Sequence, residues 1–199
     1  DLKQIVIFNI VISLGVMVCG TATLNTFGVK GALFYAVNDI LLKAALFIVV
    51  GLIIYVSGVK SLQKCGLINK YPLLGWTYFI IVLSLAGVPP FSGFYGKALI
   101  IKGLVTNNNT FIAILVALSG LVVFYSLIRI FLNVFYDNIN KSLILKPLPK
   151  GVQIPLIAIV AIALIIGVST NLLDGFFDKG IQMVLNPQHY IDLVLKKGA

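Results

Sequence analysis

The sequence predicts an all-α, polytopic membrane helix bundle of about five transmembrane helices, one of them broken. Three observations predict it. The 199 residues are 60% hydrophobic and 11% charged, with mean hydropathy +1.08, whereas a soluble domain carries roughly 25% charged residues. Several apolar runs exceed the roughly 18 residues that cross a bilayer. The third run contains Pro89-Pro90 flanked by Gly87 and Gly93, and no helix continues through such a stretch.

The expected transmembrane bundle occupies residues 1–173. Its first span is 5–24, opened by the polar stretch Asp1-Leu2-Lys3-Gln4, and its second is 32–56, closed by Ser57-Gly58. A loop with Lys60, Lys64 and Lys70 follows. The third span, 72–104, is too long for one straight helix and is expected to break at 87–93. The fourth, 110–136, follows Thr106-Asn107-Asn108-Asn109. Pro147 and Pro149 keep the next basic loop non-helical, and the fifth span is 152–173. The tail 174–199 alternates charge with short apolar runs, so it is expected to lie on the membrane surface as an amphipathic segment. The chain starts at Asp1 without a Met or a signal-peptide layout. It is therefore expected to be part of a longer polypeptide.

The formal net charge is +9, and all six acidic residues are Asp. The basic residues cluster in short loops beside spans, where Lys and Arg set orientation, and no basic patch with interleaved aromatics supports nucleic-acid binding. Lys3, Lys60, Lys64, Lys70, Lys141, Lys146 and Lys150 fall on one side, against Lys30 among the opposite loops. The N-terminus is thus expected inside and the C-terminus outside. Cys19, Cys65 and the lone His189 are too few and too scattered for a disulfide framework or a metal site. No nucleophile–base pair or phosphate-binding loop appears, so neither an enzyme nor a cofactor is expected.

Two lysines stand out because an ammonium in hydrocarbon costs several kcal/mol unless it is paired or hydrated. Lys97 closes the run 85–97, LAGVPPFSGFYGK. The half-span before the break covers about 21 Å at 1.5 Å per residue, so the break falls within the membrane. Broken backbone at that depth survives only against protein or a hydrated cavity, and transporters aim such half-helix ends at ions. Ser92 is the expected N-cap of the new half-helix. The alternative is a structural kink with Lys97 snorkelling to the surface.

Lys43 lies mid-span, four residues after Asp39, so both occupy one helix face. A buried pair of this kind keeps a proton-accepting group in the interior, and Asn38 beside it offers a hydrogen bond. The alternative is a static ion pair that only fixes packing. Arg129 and Lys102 are expected to anchor at the membrane surface, and Gly15, Gly20, Gly51 and Gly120 to allow close helix packing.

The succession N-D-x-x-x-K-A-A-L-F, K-Y-P-x-L-G-W, L-A-G-V-P-P-F-S-G-F-Y-G-K and Y-S-L-I-R-I-F resembles the antiporter subunits shared by Mrp-type multisubunit Na+/H+ antiporters and respiratory complex I. The match is closest to the D-type subunits of the Mrp branch. It covers the chain up to the tail, and the G-V-P-P-F-S-G-F-x-G-K string with its spacing to N-D-x-x-x-K is its specific part. The resemblance implies a fourteen-helix subunit of which these are the last five spans. It also implies a lysine in the broken helix at Lys97, a lysine or histidine before it at Lys43, and a hydrated proton track at the membrane centre. Relatives often carry histidine where this chain has Asn38. Asparagine takes up no proton, which makes Asp39 the expected partner of Lys43.

The expected function is proton translocation within a multisubunit cation (Na+)/proton antiporter of a bacterial plasma membrane. Its expected partners are the other antiporter subunits, the lipid bilayer, protons and Na+, and no nucleic acid. Two alternatives remain. One is a proton-pumping subunit of a complex I or membrane-bound hydrogenase assembly. The other is a scaffold whose buried lysines only pack.

Overall fold

The computed structural model describes residues 1–58, 65–89, 91–136, 146–149, 151–168 and 181. Pro90, Lys60, Lys64, Lys141, Lys150, residues 169–173 and the tail 174–199 apart from Ile181 lie outside the described residues. Among the described residues there is no strand. The described residues include six α-helices: α1 Leu2–Thr21, α2 Thr26–Ser57, α3 Pro72–Ala86, α4 Ser92–Thr106, α5 Thr110–Ile130 and α6 Gln153–Val168. Among the described residues, α1, α2 and the run Thr110–Phe135 are long and apolar enough to cross a membrane, while α3 and α6 are shorter apolar helices.

Local chemistry sets these boundaries. Asp1 caps α1 by accepting from the Lys3 amide at 3.3 Å. Asn25 caps α2 by accepting from the Gly28 amide at 2.8 Å, so α2 begins at Thr26, ahead of the expected span at 32. Gly58, left-handed at φ 70°, closes it. With 32 residues, α2 is about 48 Å long at 1.5 Å per residue. That exceeds the roughly 30 Å hydrocarbon core and leaves Lys43 well inside both ends.

The stop of α3 comes before the prolines. Gly87 is left-handed at φ 81°. Its amide bonds the Ser84 carbonyl at 3.2 Å, and the Val88 amide bonds the Leu83 carbonyl at 3.1 Å. This is the paired closure of a Schellman motif, with Pro89 just beyond it. The helix resumes as α4 at Ser92, whose side chain makes no capping bond. The expectation that Ser92 is an N-cap is therefore corrected: it is the first helical residue, and its hydroxyl turns to α2. The fourth span is regular only to Ile130 and then widens into a π-helical turn, Phe131–Phe135.

Packing corrects the glycine expectations as well. Among the described residues, a Cβ added at Gly15 or Gly51 would meet nothing within 4 Å, so neither is a close-packing position within this set of helices. Gly20 and Gly120 are, as are Gly31, Gly96 and Gly103 between α2 and α4. A Cβ on Gly96 would stand 2.8 Å from the Tyr35 Cβ, and one on Gly31 would stand 2.7 Å from the Ile100 amide. The intrinsic helix cost of glycine, about 1 kcal/mol each, is offset by this close approach of two backbones.

The buried apolar side chains form two clusters. One holds Leu2 and Val6 of α1, several residues between 42 and 56 of α2, Tyr78 and Ile81 of α3, and Leu127 of α5. The other holds Val16 of α1, Tyr35 of α2, Ile100 and Leu104 of α4, and Val116 of α5. Between them, α1 contributes buried Asn9 and Ser13, α2 Asn38 and Asp39, and α4 Ser92 and Lys97. A polar layer thus crosses the bundle at mid-height.

Candidate functional site: a buried charge layer at the helix break

Asp39 and Lys43 face the same side of α2 and form an ion pair, Lys43 Nζ donating to Asp39 Oδ2 at 2.5 Å. Their residue exposures are 3% and 7%. The second carboxylate oxygen is also engaged. Ser13 of α1 donates to Asp39 Oδ1 at 2.9 Å, and the Tyr35 hydroxyl lies 3.3 Å from the same Ser13 oxygen. Tyr35, Asp39 and Lys43 follow one another at four-residue steps, so they form a stripe along α2 that Ser13 clamps from α1.

Lys97 is 5% exposed. Its ammonium donates to the Ala86 carbonyl at 3.0 Å and to the Leu85 carbonyl at 3.3 Å. These are last-turn carbonyls of α3, left without intrahelical partners by the break. Opposite charge at a helix C-terminus adds to the bond. Among the described residues Lys97 forms no ion pair, and it sits 5.6 Å from the Tyr35 ring centre. The Asp39–Lys43 pair lies close enough to act on it electrostatically.

The backbone segments on either side of the break approach each other closely. A Cβ on Gly93 would overlap the Ser84 carbonyl, and one on Gly87 would stand 3.1 Å from the Lys97 side chain. Ser92 donates to Asn38 Oδ1 at 2.6 Å and is enclosed by Gly167 of α6, where a Cβ would overlap it. Ser84 Oγ is fully buried and has no hydrogen-bond partner among the described residues. A groove of about 420 Å³ runs between residues 83–89 and Ala117, Gly120, Leu121 and Phe124 of α5.

The structure therefore brings Asn38, Asp39, Lys43, Gly87, Ser92, Gly93 and Lys97 into one layer; Pro89 lines the neighbouring groove, and Pro90 is outside the described residues. Arg129 is exposed and stands apart from it. Lys102 lies over the Phe27 ring at 3.9 Å, away from the layer. Sequence reasoning misses Asn9, Ser13, Tyr35, Gly96 and Ser126. Asn9 and Ser13 do carry a signal: two polar residues at i, i+4 in an otherwise apolar helix share a face. Asn9 uses that face to bond Ser126 of α5 at 3.0 Å.

A polytopic helical membrane protein with a broken helix and buried charge beside the break is the class these features define. The chain belongs to the NADH:quinone oxidoreductase/Mrp antiporter transmembrane family, whose model matches residues 1–123. It is 37% identical over 203 residues to the D subunit of the Na(+)/H(+) antiporter of Bacillus subtilis (strain 168), covering 99% of this chain and 40% of that protein. It is 34% identical to the putative antiporter subunit mnhD2 of Staphylococcus haemolyticus (strain JCSC1435), covering 100% of this chain and 41% of the relative. The chain thus spans about two-fifths of the length of these curated relatives. Its fold matches a chain of the Mrp complex from Dietzia sp. DQ12-45-1b with TM-score 0.88 at 21% identity, over 96% of this chain and 44% of the other. It also matches a chain of respiratory complex I from Thermus thermophilus with TM-score 0.73 at 21% identity, over 88% and 36%.

Proposed function

We propose that this chain supplies part of the proton path in one subunit of a multisubunit Na+/H+ antiporter in a bacterial plasma membrane. The observation that carries the reading is Lys97: a buried ammonium that donates to two carbonyls at the end of a broken helix, beside the Asp39–Lys43 pair. Lys97 and the Asp39–Lys43 pair act as successive proton-holding groups. Asn38 fixes the break to α2 through Ser92. Gly87, Pro89 and Gly93 keep the backbone broken there. Ser84, whose buried hydroxyl has no partner among the described residues, supports hydration of the path. Sodium moves elsewhere in the assembly, coupled through the other subunits. The reading is a transporter rather than an enzyme. In this reading the N-terminal end of the bundle faces the cytoplasm, as the lysine distribution favours.

The relatives named as antiporter subunits favour Na+/H+ exchange over redox-driven pumping in a complex I-like assembly, which is the second reading. The test is Lys97→Ala in the full-length protein, assembled with its partner subunits in everted vesicles. Na+-driven proton movement is expected to be lost while assembly persists. Exchange at the parental rate would overturn the proposal, and exchange driven only by a respiratory reductant would favour the second reading.

A further inference from the structure

The two lysines are separated by protein, and the residues between them carry hydroxyls. Ser13 Oγ has a single proton, and the 2.9 Å contact spends it on Asp39 Oδ1. The 3.3 Å contact with Tyr35 is then donated by the tyrosine. The bonds form a directed chain, Tyr35 O–H to Ser13 Oγ and Ser13 O–H to Asp39 Oδ1, which ends on the carboxylate that holds Lys43. Its other end is on Tyr35, whose ring centre lies 5.6 Å from the Lys97 ammonium. Tyr35 and Ser13 are 2% and 3% exposed, so bulk water does not short-circuit the chain. Gly96 makes the approach possible, because a Cβ there would stand 2.8 Å from the Tyr35 Cβ and push α4, with Lys97, away.

We propose that Tyr35 and Ser13 belong to the proton path itself, relaying protons between Lys97 and the Asp39–Lys43 pair through their hydroxyl groups. The inference rests on the proton-path reading above. A proton leaves the Lys97 ammonium and, through a bridging water molecule, forms an O–H bond at the Tyr35 oxygen. The original Tyr35 O–H bond breaks as its proton passes to Ser13 Oγ, and the original Ser13 proton passes to Asp39 Oδ1. Lys97 ends as a neutral amine and Asp39 as a neutral carboxylic acid. The water and each hydroxyl keep their proton number, and no electrons change hands. Asp39 without charge no longer holds the Lys43 ammonium, which frees Lys43 to pass its own proton onward. The Asn9 carbonyl, 3.2 Å from Ser13 Oγ, is a second acceptor. Rotation of the Ser13 hydroxyl onto it opens the chain and resets it for the next proton.

The test uses the full-length protein in its assembled complex, in everted vesicles, with Na+-driven proton movement read by a pH-sensitive dye. Tyr35→Phe and Ser13→Ala are each expected to slow exchange by about a hundredfold or more, the low end of the loss expected when a proton-transfer group is removed. Ser13→Thr, which keeps the hydroxyl, is expected to recover most of the rate. If Ser13→Ala fails to assemble, Ser13→Cys replaces it, with similar size but a weak donor. Parental exchange in Tyr35→Phe or in the Ser13 variant overturns the relay, as does a loss in Ser13→Thr equal to that in Ser13→Ala. Lys97→Ala run in parallel separates the two ideas. If it alone abolishes exchange, the antiport reading stands without the hydroxyl relay. If it too exchanges normally, both fall.

Discussion

Gly120 of α5 stands directly against Lys97: a Cβ built on it would lie 3.3 Å from the ammonium and 2.7 Å from the Ala86 carbonyl oxygen that the ammonium bonds. The ammonium end could shift, but the carbonyl belongs to the backbone at the break. Gly120→Ala is therefore expected to move α5 off the end of α3. Removing a mid-helix glycine normally gains about 1 kcal/mol, and overpacking costs about 1–3 kcal/mol, so the thermal midpoint of the assembled complex is expected to fall. Because misplacement of about 1 Å can cost a hundredfold in rate, exchange is expected to fall more steeply than stability. A variant with raised midpoint and parental exchange would show that the contact is slack.

Asp39 and Lys43 are each less than a tenth exposed, so removing one leaves the other uncompensated. Breaking a buried pair costs about 3–5 kcal/mol. Asp39→Asn alone is expected to lower complex yield and midpoint sharply. The double variant Asp39→Asn with Lys43→Met removes both charges and is expected to recover most of the stability, since buried pairs replaced by apolar residues are often neutral. Exchange is expected to stay lost. Recovery of exchange in the double variant would reduce the pair to a packing device.

The seam between α2 and α4 gives a stability contrast within one molecule. Gly96→Ala would drive a Cβ to 2.8 Å from the Tyr35 Cβ and 2.9 Å from its Cα. Gly15→Ala on α1 would meet nothing within 4 Å. The first is expected to destabilise by about 1–3 kcal/mol or more, and the second to be neutral or stabilising by up to about 1 kcal/mol. Thermal unfolding of the two variants in detergent measures both, and equal midpoints would refute the close seam.

Cys65 lies in the connection between α2 and α3, 1% exposed. Burial pushes its thiol up from its ordinary value. The thiolate is the reacting form, and a raised value leaves less thiolate at any given pH below it. Maleimide labelling of Cys65 is therefore expected to be slow near neutral pH and to accelerate as pH rises toward the raised value. Unfolding in SDS should abolish the protection. Rapid labelling of the folded protein at neutral pH would contradict the burial.

Much of this arrangement can be read along the chain. Asp39 and Lys43 are legible because four residues make one helical step, and the break is legible because Gly87 and Pro89 act through local backbone chemistry. Even there the details differ. Gly87 closes α3 before the prolines are reached, and Ser92 gives its hydroxyl to Asn38, 54 residues away, instead of capping its own helix. A nearby acceptor on another helix satisfies the donor, and sequence carries no mark of that choice.

Sequence alone settles whatever depends on neighbours within one helix: the membrane class, the break, the charge stripe on α2 and the family. Which helices face one another across the layer is settled only by the packed bundle. Ser13 reaches Asp39 across 26 residues, and Gly120 of α5 reaches Lys97. The physical reason is that helical periodicity orients side chains about one axis, whereas meetings between axes depend on where the backbones come close. Here the backbones come close at the bare glycine surfaces of Gly31, Gly96 and Gly120, and only Gly120 is among the packing positions that the sequence suggests.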